Sequence, residues 1–380
     1  MTETPDTKPR RRRLALSLRS LMVLVLAIGG LLGWRIYLAR VQRDAVERIR
    51  KAGGNVSYDW EWRNGNSVPD AQPPWPNWLI DLTGPDFLSN VVALRFLPDN
   101  DVLRKIDDDR MTDIARLDRL EYLNLGATGV TDAGLAKIRG LTRLQWLNLL
   151  DTSVNGAGLA YLKDMVDLEM LTFPPSTVTD ADLAHLGGMT KLTGLRLPGS
   201  RITDAGMIHL RNMKQLEYLN ISGSEVTTLV PIRQLTRLKY LEAIGCPIDD
   251  VGAAPIADFR DLETLVLEET RITDRAIASF PPLPKLKVLD LRRTKITDAG
   301  LKGLGRLPSL QMLSIYDTQV TNSGLASMPI LKTCKTVEVA GPNVGLLEVG
   351  ELRKKFAHLR IIGPERYAQE RVVRTNGKIP

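Results

Sequence analysis

Residues 287–304 read KVLDLRRTKITDAGLKGL, and residues 264–280 read TLVLEETRITDRAIASF. The two stretches share their apolar positions, while the polar residues between those positions differ. Aligned on the pattern L-x-x-L-x-x-L-x-L-x-x-T-x-I-T-D-A-G-L-x-x-L, the chain contains ten such units, which begin at Leu117, Leu141, Met165, Met189, Met213, Leu235, Phe259, Leu283, Leu307 and Leu331. Consecutive units are 24 residues apart, except for the 22 residues between Met213 and Leu235. A fixed period of this length predicts a stacked array of repeats.

Atypical units flank the array on both sides. A looser unit begins at Leu88, and a truncated unit occupies residues 356–362. Because the end faces of a stacked array meet water, terminal units are expected to differ from central ones. One unit alone buries too little apolar surface to offset the backbone entropy lost on ordering. The units are therefore expected to fold as one stack over residues 87–362.

The hydrophobic period changes within each unit. Leu289 and Leu291 alternate with polar neighbours, which predicts a short strand. The position of Thr297 is occupied by residues that cap helix N-termini, namely Thr131, Asn155, Thr179, Thr203, Thr227, Asp249, Thr273, Thr297 and Thr321. Carboxylates that favour the helix dipole follow at Asp132, Asp180, Asp204, Asp274 and Asp298. Each unit is therefore predicted to continue into a short helix, which Pro231 should reduce to a turn in the 22-residue unit.

Residues 120–138, LEYLNLGATGVTDAGLAKI, and their copies resemble leucine-rich repeats. They are similar to the subclass in which cysteine often stands where this chain has Thr128, Thr152, Thr270, Thr294 and Thr318, and only Cys246 keeps the sulfur. The resemblance covers about 275 of the 380 residues. It implies an α/β fold, a right-handed horseshoe-shaped solenoid with a parallel sheet on the concave side and short helices on the convex side. It also implies binding to other proteins.

The N-terminal segment combines a basic cluster at residues 10–13 with the apolar stretch LALSLRSLMVLVLAIGGLLGW, residues 14–34. A helix over residues 14–38 would be about 37 Å long, which suffices for a hydrocarbon layer of about 30 Å. This predicts a single-pass transmembrane anchor, and the opening of the chain also resembles large groups of bacterial membrane-anchored proteins of this repeat type. A signal peptide cleaved near Ala27 and Gly29 is the alternative.

Positive charge flanks both ends of the apolar stretch almost equally. The dense cluster at residues 10–13, within a basic segment 1–13, favours an N-terminus inside the cell and an array outside the cytoplasm. Residues 39–86 are expected to form a charged juxtamembrane helix ended by glycine and a Trp/Pro-rich cap. The cap should cover the open core of the first unit with Trp60, Trp62, Trp75 and Trp78. Residues 363–380 are expected to form a loose polar tail.

The distribution of charge argues against a nucleic-acid partner. Residues 1–52 contain twelve Lys or Arg and four acidic residues, a net charge of +8. Since the whole chain has a formal net charge of +7, the remaining residues sum to −1. The predicted array therefore lacks the basic face that binds phosphate backbones.

The sequence contains no recognisable catalytic, cofactor or metal-binding constellation. His185, His209 and His358 are scattered, and no Gly-rich loop with a following Lys succeeds a strand. Cys246 and Cys334 lie four repeat steps apart, roughly 19 Å at about 4.8 Å per strand, too far for a disulfide. The chain is therefore expected to be no enzyme, to need no cofactor and to act on no small-molecule substrate.

The outward-facing strand positions are the candidate binding residues. The position before the first strand leucine carries Tyr122, Trp146, Met170, Tyr218 and Tyr240, with a gap at Gly194. Rows of such side chains are typical of interface cores, but they are also expected if the rings pack on one another or are covered by the PPWPNW segment. In the following loop, acids and bases alternate between units as Glu268, Glu269, Arg292 and Arg293. These four predict a salt-bridge rung, with charge-guided docking as the functional alternative.

These patterns together favour a membrane-tethered protein-binding scaffold that uses its concave face. The alternative is a structural or spacer element of the cell envelope without a specific ligand.

Overall fold

The computed structural model describes residues 18–63, 65–96, 106–175 and 178–363. Its main sheet has thirteen strands in the order β1-β4-β5-β6-β7-β8-β9-β10-β11-β12-β13-β14-β15. From β4 onwards every neighbouring pair is parallel, and the strands follow the chain order without a crossover. The strands are β1 Gly54–Tyr58, β2 Trp62–Arg63, β3 Asn66–Ser67, β4 Val91–Phe96, β5 Tyr122–Asn124, β6 Trp146–Asn148, β7 Met170–Thr172, β8 Gly194–Arg196, β9 Tyr218–Asn220, β10 Tyr240–Glu242, β11 Thr264–Val266, β12 Val288–Asp290, β13 Met312–Ser314, β14 Thr336–Glu338 and β15 Arg360–Ile362.

The strand leucines form a single buried file along the array. Leu123 pairs in register with Leu147, and the same register continues strand by strand to Val337 and Ile361. The leucines of this file are fully buried in one continuous hydrophobic cluster. This confirms the predicted right-handed solenoid, in which each coil of chain seals the apolar interior of its neighbour.

Short α- and 3-10 helices cover the opposite side of the array. The α-helices are α1 Leu18–Lys51, α2 Asn77–Thr83, α3 Pro85–Leu88, α4 Asp108–Ile114, α5 Asp132–Ile138, α6 Asp180–Leu183, α7 Asp204–Met207, α8 Asp274–Ser279, α9 Asp298–Gly303, α10 Asn322–Ser327 and α11 Leu346–Lys355. The 3-10 helices are Gly156–Tyr161, Ala184–Leu186, Ile208–Leu210, Val230–Ile232, Ala254–Asp258, Leu304–Arg306 and Pro329–Lys332. The 22-residue unit keeps only the single turn at Val230–Ile232, as predicted from Pro231.

Most of the predicted caps are present. The side-chain oxygens of Thr131, Asn155 and Thr297 each accept a hydrogen bond from the backbone N–H two residues later. Thr227 does not cap its unit, because the shortened turn shifts this role to Thr228, which accepts from the N–H of Val230. Thr179 and Thr321 also lack this bond, and their hydroxyls donate to Asp182 and Asp298. The caps therefore follow the sequence pattern in most full-length units.

The aspartates after the caps bridge neighbouring units, a role that the helix-dipole interpretation did not include. Oδ1 of Asp274 accepts the backbone N–H of Thr297 in the next unit at 2.8 Å, and its Oδ2 accepts the Thr297 hydroxyl at 2.6 Å. The same kind of carboxylate acceptor recurs at Asp108, Asp132, Asp180, Asp204, Asp250, Asp274 and Asp298. These bonds form a ladder along the convex side, which we call the carboxylate ladder. Hydrogen bonds to a charged acceptor contribute about 1.5–3 kcal/mol each.

The carboxylate ladder explains the glycine of the T-D-A-G motif. A Cβ on Gly300 would lie 2.3 Å from Oδ1 of Asp274, and a Cβ on Gly134 would lie 2.3 Å from Oδ1 of Asp108. The carboxylate of the preceding unit therefore occupies the space that a side chain would need at this glycine.

At one junction between units, the aspartate and the glycine of this contact are exchanged. The unit at Thr179 follows a unit with Gly156 in place of the aspartate, and it carries Asp182 in place of the glycine. Asp182 Oδ2 accepts both the N–H and the hydroxyl of Thr179 at 2.8 Å. A Cβ on Gly156 would lie 2.3 Å from that oxygen, so Asp182 fills the place that an aspartate at position 156 would take.

The N-terminal end of the array is closed by two elements. Strand β1 pairs antiparallel with β4, which protects the sheet edge and adds an antiparallel strand to the expected parallel sheet. Helix α1 buries Ala45, Val46 and Ile49 against this end of the core, and Ala39 is buried beside Thr83 and Phe87. It runs without interruption across the expected boundary at residues 38/39 between the anchor and the juxtamembrane helix.

Two buried carboxylates clamp α1 to the array. Asp86 Oδ1 accepts hydrogen bonds from Gln42 Nε2 and from the Tyr58 hydroxyl, both at 3.0 Å. Asp113 Oδ1 accepts from Arg48 Nε at 2.7 Å. Since buried carboxylates are stable only when paired, these contacts fix the position of α1 on the first units.

The expected tryptophan cap is present only in part. Trp60 packs against the hydrophobic core, and Trp62 contacts the ring of Tyr122 on the concave face. Trp75 and Trp78 remain exposed, because α1 and β1 already cover the open core. The predicted basic segment 1–13, residues 14–17 of the predicted anchor, and all but the first residue of the tail 363–380 lie outside the described residues.

Candidate protein-binding surface

Two columns of side chains face outward from the strands on the concave side. The first column lies before the inner leucine of each strand and contains the predicted residues Tyr122, Trp146, Met170, Tyr218 and Tyr240. The second column lies after that leucine and contains, among others, Arg95, Asn124, Asn148, Arg196, Asn220, Glu242 and Asp290. We call their combined surface the concave face. The sequence interpretation considered only the first column, although strict alternation about the buried leucines marks both.

The first column begins with two stacked aromatic rings and a third, tilted ring in contact with them. The Tyr122 and Trp146 rings are parallel within 8° at a centroid distance of 4.2 Å. Trp62 of the β2–β3 hairpin contacts the other side of Tyr122 at 4.7 Å. Both Tyr122 and Trp146 remain half-buried, so the rings pack on each other and still present surface to solvent.

The predicted gap at Gly194 is filled by a neighbouring side chain. A Cβ at Gly194 would lie 2.2 Å from Cε and 2.3 Å from Sδ of Met170. The Met170 thioether therefore lies over the glycine backbone and extends the aromatic row by one strand. PPWPNW does not cover this row, since Trp75 and Trp78 are exposed elsewhere.

A second stack follows on β9 and β10. The rings of Tyr218 and Tyr240 are parallel within 15° at 4.5 Å, and the Tyr240 hydroxyl lies 3.3 Å from Glu242 Oε2. Burial and the carboxylate of Glu242 raise the pKa of Tyr240 to about 12. Burial, followed by the same carboxylate, also raises the pKa of Tyr218.

The substitution Glu242→Gln is expected to move the ionisation of Tyr240 to lower pH, because it removes the carboxylate that disfavours the phenolate. Since an unfolded tyrosine ionises near pH 10, Tyr240 destabilises the fold as the pH rises from about 10 to about 12. Tyrosinate absorbance is titrated in the original chain and in Glu242→Gln, and the titration of the matching Tyr240→Phe variant is subtracted from each. The difference gives the midpoint of Tyr240 ionisation in both chains. Tyr161→Phe, on the convex side, serves as the control, and an unchanged midpoint in Glu242→Gln would contradict the assignment.

The four predicted charged residues form an ion-pair cluster that also includes Asp290. Arg292 Nη2 lies 2.7 Å from Glu268 Oε2 and 2.6 Å from Asp290 Oδ2. Arg293 lies within 3.6 Å of both Glu268 and Glu269. Glu268 is only 7% exposed, so this cluster is more strongly coupled than an isolated surface pair. Glu269 and Arg293 remain exposed at its edge.

The exposed members of this cluster have an unusual backbone conformation. Glu269 and Arg293 adopt φ angles of 62° and 55°, in a loop position that three other units fill with Gly199, Gly223 and Gly245. A non-glycine residue in this region costs about 1–2 kcal/mol. Ala127, Asp151 and Asp317 adopt the same conformation at this position in three further units, so the left-handed residue is a feature of the repeat and not of this cluster alone.

The acidic and thiol side chains of the array lie in structural surroundings. Within the described ranges, no group of three or more His, Cys, Asp or Glu side chains is arranged to hold a metal ion. The aspartates of the repeated T-D pairs accept hydrogen bonds from the next unit instead. Cys246 and Cys334 are free and buried, and burial raises the pKa of both thiols.

A family model described as a leucine-rich repeat region matches residues 83–346, which is more than half of the chain. The chain belongs to the leucine-rich repeat family. The match begins at the end of α2 and covers both columns of the concave face. Leucine-rich repeat proteins generally act as protein-interaction scaffolds.

Several solved leucine-rich repeat structures are similar to this chain. An internalin, inlF of Listeria monocytogenes, is 19% identical with a TM-score of 0.47, covering 72% of this chain and 90% of its own. A Leptospira interrogans leucine-rich repeat protein is 18% identical with a TM-score of 0.42, covering 66% and 80%. The plant peptide hormone receptor RGFR1 in complex with RGF2 is 13% identical with a TM-score of 0.42, covering 66% and 52%. These similarities concern the fold, and no curated protein sequence matches the chain.

One helix of the described chain, α1, is long and apolar enough to cross a membrane by length and composition. Residues 18–38 of α1 are exposed throughout, a span of about 31 Å. A signal sequence meets the same criteria.

Proposed function

We propose that this chain is a membrane-tethered, non-catalytic scaffold that binds another protein through its concave face. The observation that carries the proposal is the pair of aromatic stacks, Tyr122 with Trp146 and Tyr218 with Tyr240, on one side of a rigid sheet. Half-exposed Tyr, Trp and Met side chains in one row have the composition of protein interface cores. The partner is therefore expected to bring an apolar segment to β5–β10.

The second column supports a partner with polar acceptors beside that apolar segment. The Nε atoms of Arg95 and Arg196 are buried and have no hydrogen-bond partner within the protein. The Arg95 and Arg196 side chains as wholes are only half-buried, and guanidinium groups form charge-assisted hydrogen bonds with carbonyl and carboxylate oxygens. Glu269 and Arg293 would add charged contacts further along the array.

For the tether, we propose that α1 is an uncleaved anchor with the N-terminus inside the cell and the array outside the cytoplasm. The helix continues from its exposed apolar part into residues packed on the array, namely Ala45, Val46 and Ile49. An anchor of this kind would hold the array close to the membrane surface without a flexible linker.

Site-specific photo-crosslinking in intact cells tests the proposal. A photoreactive amino acid at Tyr122 or Tyr240 is expected to form an adduct with one protein, whereas the same group at Ile208, which is exposed on the convex side, forms none. Equal labelling from both sides, or none from the concave face, would instead support the spacer alternative.

A further inference from the structure

A group of exposed apolar side chains lies on the N-terminal cap, away from the concave face. Trp75, Trp78 and Leu82 are 41%, 66% and 75% exposed. Trp78 and Leu82 are four residues apart in α2 and share one face of that helix, and Trp75 precedes the helix by two residues. Large apolar residues exposed together mark an interaction surface more often than isolated ones do.

This surface is attached to α1 at the level where the apolar part of α1 ends. Arg43 Nη2 donates to the carbonyl oxygen of Thr83, the last residue of α2, at 2.7 Å. The adjoining cleft of about 260 Å³ is lined by Ile36, Ala39, Arg40, Arg43, Thr83 and Phe87. Leu82 is therefore next to Thr83, whose contact on α1 lies five residues beyond Leu38, the last residue of the exposed apolar part.

Basic side chains surround the same level of α1. A second cleft, of about 190 Å³, is lined in part by Arg35, Arg116 and Arg119. Together with Arg40 and Arg43, these arginines form a basic collar at the end of the apolar span. Asp86, Asp113 and Asp118 lie within 4 Å of Arg43, Arg116 and Arg119, so the net positive charge of the collar comes from Arg35 and Arg40. Guanidinium groups bind phosphate oxygens through paired hydrogen bonds, and tryptophan is enriched at the boundary between lipid headgroups and acyl chains.

We infer that Trp75, Trp78 and Leu82 form a second membrane contact that lies in the interface of the bilayer crossed by α1. The inference rests on the proposed anchor. A lipid bilayer fits this surface better than a protein partner does, because the end of α2 is joined to α1 five residues beyond the exposed apolar part and the basic collar lies at the same level. Because the cap is fixed to α1, the anchor and this second contact together hold the array in one orientation relative to the membrane.

Quenching of tryptophan fluorescence by brominated lipids tests this inference on the full chain. The Trp34→Phe chain and the Trp34→Phe/Trp75→Phe/Trp78→Phe chain are placed in bilayers containing anionic lipid. Their difference signal reports Trp75 and Trp78, and bromines near the headgroups are expected to remove about half of it or more, since interfacial side chains lie about 5–10 Å deep. Bromines near the acyl ends should quench less. An unquenched difference signal would overturn the inference, including the case in which another protein covers this surface.

The anchor is measured separately in the same bilayers. A Trp75→Phe/Trp78→Phe chain keeps Trp34, whose quenching reports insertion of α1. If Trp34 is quenched while the difference signal is not, the second contact is wrong and the anchor stands. If neither signal is quenched, both proposals fail.

Discussion

Replacing Tyr122, Trp146 and Tyr218 together with serine is expected to weaken binding of the cross-linked partner by at least about 100-fold, since truncated interface aromatics cost about 2 kcal/mol or more each. The array should remain folded, because these rings point away from the core. The leucines that follow them, Leu123, Leu147 and Leu219, are fully buried and supply the packing instead. Affinity of the purified variant for the partner, compared with its thermal unfolding, measures the two effects independently.

Two stacks are broken by this substitution, and each contributes about 0.5–1.5 kcal/mol to stability beyond its buried area. A modest decrease in the unfolding temperature is therefore expected. Tyr161→Ser provides the matched control, because Tyr161 is an exposed tyrosine on the convex side. Unchanged affinity in the triple variant, or global unfolding without it, would assign the rings a purely structural role.

Exchanging Gly156 and Asp182 is expected to reveal strong coupling between units. Gly156→Asp alone adds a second carboxylate whose Cβ would lie 2.3 Å from Asp182 Oδ2, and Asp182→Gly alone leaves Thr179 without its acceptor. Each single change should destabilise the array by about 2 kcal/mol or more. The double variant restores the arrangement of the other junctions and should lie within about 1 kcal/mol of the original chain, a coupling of about 3 kcal/mol.

Denaturant titration of the four chains in this cycle measures the coupling. The mirror exchange, Asp274→Gly with Gly300→Asp, converts a common junction into the rare one and should be equally well tolerated as a pair. Additive losses in either cycle would show that the carboxylate ladder does not link neighbouring units.

The architecture followed from apolar spacing that is local to each unit. Leu289 and Leu291 mark a strand, Thr297 marks a helix start, and Pro231 marks a shortened turn, and all three are present in the structure. The period of 24 residues then requires stacking, because one unit cannot bury its own apolar face. The aromatic row could be located in the same way, since a residue beside a buried strand leucine must face outward. Its role in binding remains a prediction.

The contacts between units could not be predicted in this way. They depend on how far each coil is offset from its neighbour, and this offset cannot be derived from the sequence of one unit. Asp274 accepts a hydrogen bond from the backbone of Thr297, 23 residues later in the chain. The exchanged positions of Gly156 and Asp182 can be interpreted only once this hydrogen bond is known. Likewise, Met170 fills the space over Gly194, and the Trp62 ring contacts Tyr122 from a hairpin that lies far away in the sequence. Residues 39–51 read as a separate charged helix, because their four buried residues are dispersed among charges. The structure shows that these residues continue α1. Their buried face could not be derived from the sequence, because the face of a helix that is buried depends on the surface against which the helix packs.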